Sequence, residues 1–207
     1  QVLNHHRRFW ELEAAQCEAQ WIPQTYPAPW ARTVGVLGLG ALGETVAKLL
    51  AAFGFTTRGW SRSAKSIDGV RCFAGNGALD AFLDGTEILV CLLPLTDETR
   101  GILNAGLFAR LAPGAGLINV GRGAHLVESD LIPALDSGVL TAASLDVMSA
   151  EPLPAGHPFW KHPRIFLTPH LAADVDPVTS AVAIRHQIER FEAGQPLEHV
   201  AERNRGY

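Results

Sequence analysis

Three ionisable residues late in the chain, Arg122, Glu151 and His170, each follow an apolar run of strand character. Arg122 comes after Asn119-Val120-Gly121, Glu151 lies beyond Leu145-Asp146-Val147, and His170 follows Ile165-Phe166-Leu167-Thr168-Pro169. Strand ends are where open parallel sheets bind their ligands. A planar guanidinium can hold a carboxylate through two bonds. An imidazole beside a carboxylate stays protonated nearer neutral pH. Together the three suit hydride transfer to a carbonyl: a cation to hold an acid group, a proton donor for the alkoxide, and an acid to orient that donor. Singly, each has a plain reading as a surface arginine, a loop carboxylate before Pro152 and a packed histidine. The other seven histidines show no such placement, and His5-His6 reads as a solvated pair.

These residues lie downstream of a nucleotide motif. Residues 33–43, TVGVLGLGALG, run from an apolar strand into Gly38, Gly40 and Gly43. The first glycine allows a tight turn, the second lets backbone approach a pyrophosphate, and the third lets helix and strand pack closely. A pyrophosphate then sits at the positive end of the helix that follows. That helix shows Leu42, Val46, Leu49, Leu50 and Phe53 as one apolar stripe, and it stops at Gly54.

After a second strand at residues 55–60, Ser61-Arg62-Ser63 occupies the place where an NAD site carries Asp or Glu for the ribose hydroxyl. A carboxylate there would repel a 2′-phosphate, whereas a guanidinium and neighbouring hydroxyls can bind one. The chemistry favours NADP(H) over NAD(H); the competing reading is a turn whose Arg62 faces water.

Further strands are predicted at residues 70–73, 87–93, 116–120, 140–146 and 164–168, with helical or turn segments at 78–84, 104–111 and 127–137. The alternation implies an α/β fold, a doubly wound parallel sheet of the Rossmann kind. Residues 1–20 hold helix formers with no crisp cap, and Pro23, Pro27 and Pro29 impose an extended connection. A last helix begins at Asp176-Pro177, carries Ala181, Ile184, Ile188 and Phe191 on one side, and ends at Gly194, before a polar tail at 198–207. The organisation expected is a connecting segment at 1–30, a dinucleotide-binding domain at 31–173 and a C-terminal helix and tail at 174–207.

With 17 Lys+Arg against 21 Asp+Glu, the 207-residue chain has no basic field for nucleic acid. Its three cysteines, Cys17, Cys72 and Cys91, form neither a metal-like spacing nor a disulfide framework, so no metal site is expected and a reducing, cytoplasmic setting fits best. No run is long and apolar enough for a membrane span, and the first residues do not form a signal peptide. The chain begins with Gln1 and its only methionine is Met148, from which a fragment of a longer protein is expected.

Five motifs in order carry a resemblance: Gly38-Leu39-Gly40-Ala41-Leu42-Gly43, Leu92-Leu93-Pro94-Leu95-Thr96 with Thr99, Asn119-Val120-Gly121-Arg122-Gly123, Leu145-Asp146-Val147 with Glu151-Pro152-Leu153-Pro154, and Thr168-Pro169-His170. Together they resemble the D-isomer-specific 2-hydroxyacid dehydrogenases over nearly the whole chain. Within that family, Trp60-Ser61-Arg62-Ser63 and Arg203-Asn204-Arg205-Gly206-Tyr207 are most similar to the bacterial reductases of glyoxylate and hydroxypyruvate.

The resemblance implies that Arg122 binds the carboxylate and carbonyl of a short 2-oxo acid, that His170 gives the proton, and that Glu151 holds His170 charged. It places Ala41, Leu42 and the three glycines, Leu93, Pro94, Thr99, Val120, Gly121 and Asp146 along the cofactor, with Ser61, Arg62 and Ser63 at the 2′-phosphate of NADPH. It further implies a flavodoxin-like substrate domain whose N-terminal part this chain lacks, leaving the chain alone with little or no turnover. A homodimer contact through the segment at 1–30 follows in the same way. A nucleotide-sensing corepressor of the same fold is the competing function, since fold alone does not separate the two.

Overall fold

The computed structural model describes residues 1–173, 176–198 and 200. The chain forms two compact units, Gln1–Pro169 and His170–Tyr207. The sequence reading set the last boundary after residue 173; the units divide four residues earlier, so His170 opens the second.

The first unit is built on β1 (Thr33–Leu37), β2 (Thr56–Ser61), β3 (Val70–Ala74), β4 (Ile88–Cys91), β5 (Ala115–Asn119), β6 (Leu140–Leu145) and β7 (Ile165–Leu167). They form one sheet in the order β3-β2-β1-β4-β5-β6-β7, every neighbouring pair parallel. The order reverses between β1 and β4, the switch point of a doubly wound sheet. Its helices are α1 (Val2–His6), α2 (Phe9–Cys17), α3 (Ala41–Ala52), α4 (Leu79–Leu83), α5 (Ala105–Phe108) and α6 (Glu128–Asp136).

Strand side chains alternate between two cores because successive Cβ atoms point to opposite faces. Val34, Val36, Ile88, Val90 and Ile118 pack with Ala47 and Leu50 of α3 on one face. Leu37, Leu89, Cys91, Leu117 and Leu145 pack with Phe82, Leu107, Phe108, Leu131 and Leu135 from α4, α5 and α6 on the other. Strands buried on both sides need crossover helices on both sides, and the Val/Ile/Leu runs of the sequence express that.

Two details lie beyond what the sequence pattern shows. The apolar stripe of α3 is only partly buried: Leu50 is buried with Gly43 and Ala47, Val46 packs against the same core, and Leu42, Leu49 and Phe53 are exposed. A helix lying this close to a strand packs through small residues, which a hydrophobicity pattern does not reveal. Residues 1–20 form two short helices rather than one, broken at Arg8, whose φ is 49°.

His5 and His6 are also not a solvated pair, being only 5 % and 3 % exposed. The His5 ring lies over Gly116 of β5, where a Cβ would come within 2.3 Å of Nδ1. Its Nε2 is 3.0 Å from the Ser144 hydroxyl, which itself donates to Gln1 Oε1, so the imidazole is the donor. The ring of Trp10 meets it edge-on at 5.5 Å, and His6 meets Phe55 at 5.2 Å. These contacts seat α1 on the β1/α3 side of the sheet.

The second unit contains α7 (Pro177–Glu192). Asp176 caps it as expected, accepting the N–H groups of Val178 and Thr179, and the helix gives way to Gly194 at φ 67°. Residues after it fold back, with Arg190 donating to the Pro196 carbonyl and Gln187 accepting the Glu198 N–H. The Arg203–Tyr207 ending quoted above lies outside the described residues.

Burial lowers the His5 pKa from 6.5 to about 4. The unfolded chain takes up this proton first, so the His5 contribution is whole above pH 6.5 and drains away as the pH falls toward 4. Urea unfolding should show a loss of about 3 kcal/mol over that window, and His5→Leu should flatten the profile. Equal acid sensitivity in both proteins would contradict the assignment.

Candidate active site

The parallel register brings six strand ends into one row: Trp60, Leu37, Cys91, Asn119, Leu145 and Leu167 pair in succession across β2, β1, β4, β5, β6 and β7. At about 4.8 Å per strand, the ends from β2 to β6 span about 19 Å. Each strand runs straight into a segment singled out from the sequence.

After β1, Gly38 has φ 108° and donates its N–H to the Trp60 carbonyl at 2.9 Å. A Cβ there would meet the Leu92 carbonyl at 2.8 Å, so only glycine permits both the conformation and the approach. Gly43 brings α3 onto this turn, where a Cβ would lie 1.8 Å from the Gly38 carbonyl oxygen. Gly40 differs, since nothing stands within 4 Å of where its Cβ would be. It caps α3 without a side-chain hydrogen bond, and Gly40, Ala41 and Leu42 are exposed. An open, uncapped N-terminus of a 12-residue helix fits a pyrophosphate.

After β2, the buried Ser61 hydroxyl donates to the Ser63 carbonyl at 2.7 Å, while Arg62 and Ser63 are exposed. The turn is held from behind by Trp60 Nε1 on the Gly75 carbonyl and by the Gly75 N–H on the Ser61 carbonyl, both 3.0 Å. After β4, Leu93 is buried, and the Pro94 carbonyl accepts the Thr99 hydroxyl at 2.7 Å. Thr99 Oγ1 in turn accepts the Thr96 N–H at 2.8 Å.

After β5, the Val120-Gly121-Arg122 turn is clamped. Asn119 accepts the Gly121 N–H through Oδ1 and donates Nδ2 to the Arg122 carbonyl, at 3.2 and 3.1 Å. The His125 ring accepts the Arg122 N–H at 3.0 Å. The exposed Arg122 side chain donates Nη1 to the Gly121 carbonyl at 2.7 Å.

Beyond β6, Asp146 is buried and accepts the Thr168 hydroxyl, with its own N–H on the Asn119 carbonyl at 3.0 Å. Glu151 Oε1 accepts the Met148 N–H at 2.9 Å. Gly123 touches this loop directly, for a Cβ on it would lie 2.0 Å from the Met148 carbonyl. Glu128, at the start of α6, accepts the Ser149 N–H at 3.2 Å and pairs with His157 at 3.5 Å.

Arg122 and Glu151 thus sit on loops in backbone contact within the first unit. His170, the third residue after β7, is exposed with a left-handed φ of 53°. A shallow depression along α7, lined by Pro177, Val178, Ala181, Val182 and Arg185, contains none of the catalytic or cofactor-binding residues expected from the sequence.

The supports Asn119, His125 and Glu128 were not assigned these roles from the sequence. His125 stands three residues after Arg122, a spacing that could have marked it as a partner of the turn. Among the described residues no cluster of His, Cys, Asp or Glu could hold a metal ion. Burial pushes the Cys91 thiol up to about 12, so it is an inert core residue.

A dinucleotide-type sheet with these loops on one edge defines a class, and the chain belongs to it: the D-isomer specific 2-hydroxyacid dehydrogenase family, whose NAD binding domain model matches residues 1–172. The resemblance drawn from the five motifs is borne out. Among its relatives, a protein named glyoxylate/hydroxypyruvate reductase A from Serratia proteamaculans is 52% identical over 206 residues, covering 100% of this chain and 66% of the relative.

An NADPH-dependent glyoxylate/hydroxypyruvate reductase from Sinorhizobium meliloti, crystallised with NADP and sulfate, superposes with a TM-score of 0.97 at 46% identity over 100% of this chain and 66% of its own. A D-isomer specific 2-hydroxyacid dehydrogenase from Xanthobacter autotrophicus Py2, in complex with NADPH and MES, gives 0.96 at 47% identity over 100% and 85%. The chain therefore spans about two thirds, 66%, of the length of the curated relatives it matches.

The second and third glycines should respond differently to a methyl group. Gly43→Ala, with its Cβ at 1.8 Å from backbone, should lower stability by about 1–3 kcal/mol or more. Gly40→Ala should stay within about 0.5 kcal/mol of the parent. Thermal unfolding of both variants checks this.

Proposed function

We propose that this chain is the cofactor-binding part of an NADPH-dependent reductase of short 2-oxo acids, glyoxylate and hydroxypyruvate among them. The observation that carries the proposal is the row of strand ends. One edge presents, in order, a 2′-phosphate-compatible turn, an open glycine-lined helix N-terminus and an arginine turn backed against the Glu151 loop. Reductases of the same architecture with NADP bound support the reading.

The Ser61 hydroxyl donates to Ser63 and shapes the turn, and the guanidinium of Arg62 with the Ser63 hydroxyl supplies charge and donors suited to a 2′-phosphate. Gly38, Gly40, Ala41, Leu42 and Gly43 take the pyrophosphate. Leu93, Pro94 and Thr99 flank the cofactor, and Val120, Gly121 and Asp146 line its nicotinamide end. When bound, the dihydronicotinamide supplies the hydride.

The chain's own residues do the rest. Arg122 grips the substrate carboxylate and polarises the carbonyl, His170 delivers a proton to the oxygen as the carbon gains hydride, and Glu151 favours the charged imidazole. The remaining substrate contacts belong to a domain contributed by the third of the relatives' length that this chain does not span.

We also infer a homodimer, in a cytoplasmic protein. The helices of residues 1–20 face inward through His5, His6, Trp10 and Ala15. The surface left for a second copy is therefore the extended segment, where Trp21 is 95% exposed, and the outer stripe Leu42, Leu49 and Phe53 of α3. Among the described residues no helix is long and apolar enough to cross a membrane.

Fluorescence titration of this chain should show NADPH binding at least tenfold tighter than NADH, with Arg62→Ala erasing most of the difference; tighter NADH binding would overturn the assignment. In the complete reductase, His170→Ala should reduce kcat by about 10²–10⁴. Sedimentation velocity should give a dimer that Phe53→Glu converts to monomer.

A further inference from the structure

We propose that His125, as the neutral imidazole carrying its proton on Nε2, is a positioning residue that fixes the Arg122 turn to the Pro94 loop and thereby sets the grip on the substrate carboxylate. The inference rests on the reading of Arg122 as the carboxylate-binding group. His125 has no contact with substrate in this role and acts through the backbone of Arg122.

The geometry selects one tautomer. The Arg122 N–H donates to Nδ1 at 3.0 Å, so Nδ1 must be bare. The remaining proton is then on Nε2, which points at the Pro94 carbonyl oxygen 3.3 Å away. One ring thus joins the segment after β5, which bears Arg122, to the segment after β4, which bears Pro94.

The surroundings leave that ring no alternative position. It is fully buried. Gly121 is held against it, since a Cβ there would lie 2.9 Å from Nδ1. Its backbone carbonyl accepts the Leu103 N–H at 2.9 Å, and Ala124 beside it accepts the Gly101 N–H at 2.9 Å. Asn119 holds the opposite side of the turn through the Gly121 N–H and the Arg122 carbonyl. The turn therefore has two clamps, one of which can gain a proton.

Protonation would place a second N–H on Nδ1, facing the Arg122 N–H, and cancel the bond. The surroundings oppose it: burial first, and then the guanidiniums of Arg122, on its own turn, and Arg100, in the segment leading to Gly101, hold the pKa below its ordinary 6.5 against the hydrogen bond to the Pro94 carbonyl. The joint is intact at neutral pH and opens only on the acid side.

The test compares His125→Ala, His125→Asn and the parent in the complete reductase, with glyoxylate and NADPH varied separately. His125→Ala should raise KM for glyoxylate at least tenfold at pH 7.5. His125→Asn, whose Oδ1 can accept the Arg122 N–H and cannot titrate, should restore most of that loss. The decline of kcat/KM below pH 6.5 in the parent should be absent from His125→Asn. In the chain as it stands, ¹⁵N NMR should report the Nε2–H tautomer at pH 7.5. Variants that lose only thermal stability while keeping the glyoxylate KM and pH profile, or an Nδ1–H tautomer, would overturn the inference. A parent that neither binds NADPH nor reduces glyoxylate would instead overturn the function on which it rests.

Discussion

The arrangement of the site depends on parallel register. Leu37, Cys91, Asn119 and Leu145 pair across four strands, so the residue after each strand leaves the sheet at one edge and in one direction. Had any strand been antiparallel, its loop would open on the far side. The backbone spends its hydrogen bonds in the ladder, and the two cores formed by alternating Val, Ile and Leu side chains hold that ladder between helices. Loop chemistry is then free to vary on a fixed platform.

Close backbone approach is the second constraint. At the β1 turn, α3 rests on the Gly38 carbonyl through Gly43; at the β5 turn, Gly123 rests on the Met148 carbonyl. Both contacts exclude even a methyl group, and both set one loop by its contact with the next. The Arg122 and Glu151 loops owe their mutual placement to such contacts together with Asn119 and Glu128.

The sheet was legible in the sequence because strands buried on both faces are continuous apolar runs and turns are marked by glycine. The strands at β2, β3 and β7 were placed within about two residues, a margin typical of element ends. The glycine motif was equally legible, each glycine having its own steric reason. What escaped were properties of pairs distant in sequence. Nothing local to His5 shows that Gly116 and Ser144 make room and a partner for it. A hydrophobic stripe on α3 does not say that the small-residue face packs inward. His125 and Glu128 look like ordinary helix-start residues until the β4 and β6 loops are brought beside them.

The Ser61–Ser63 turn is anchored to Gly75 and to its own backbone, and it lies at the β2 end of the row, three strand spacings from β5. At about 4.8 Å per spacing, roughly 14 Å separates it from the Arg122 turn, beyond the range at which substitutions usually couple. Under the proposed function, coenzyme choice and carbonyl chemistry are in this sense independent modules. Changes confined to the two or three side chains of the first turn then leave the backbone clamps of the Arg122 turn as they are.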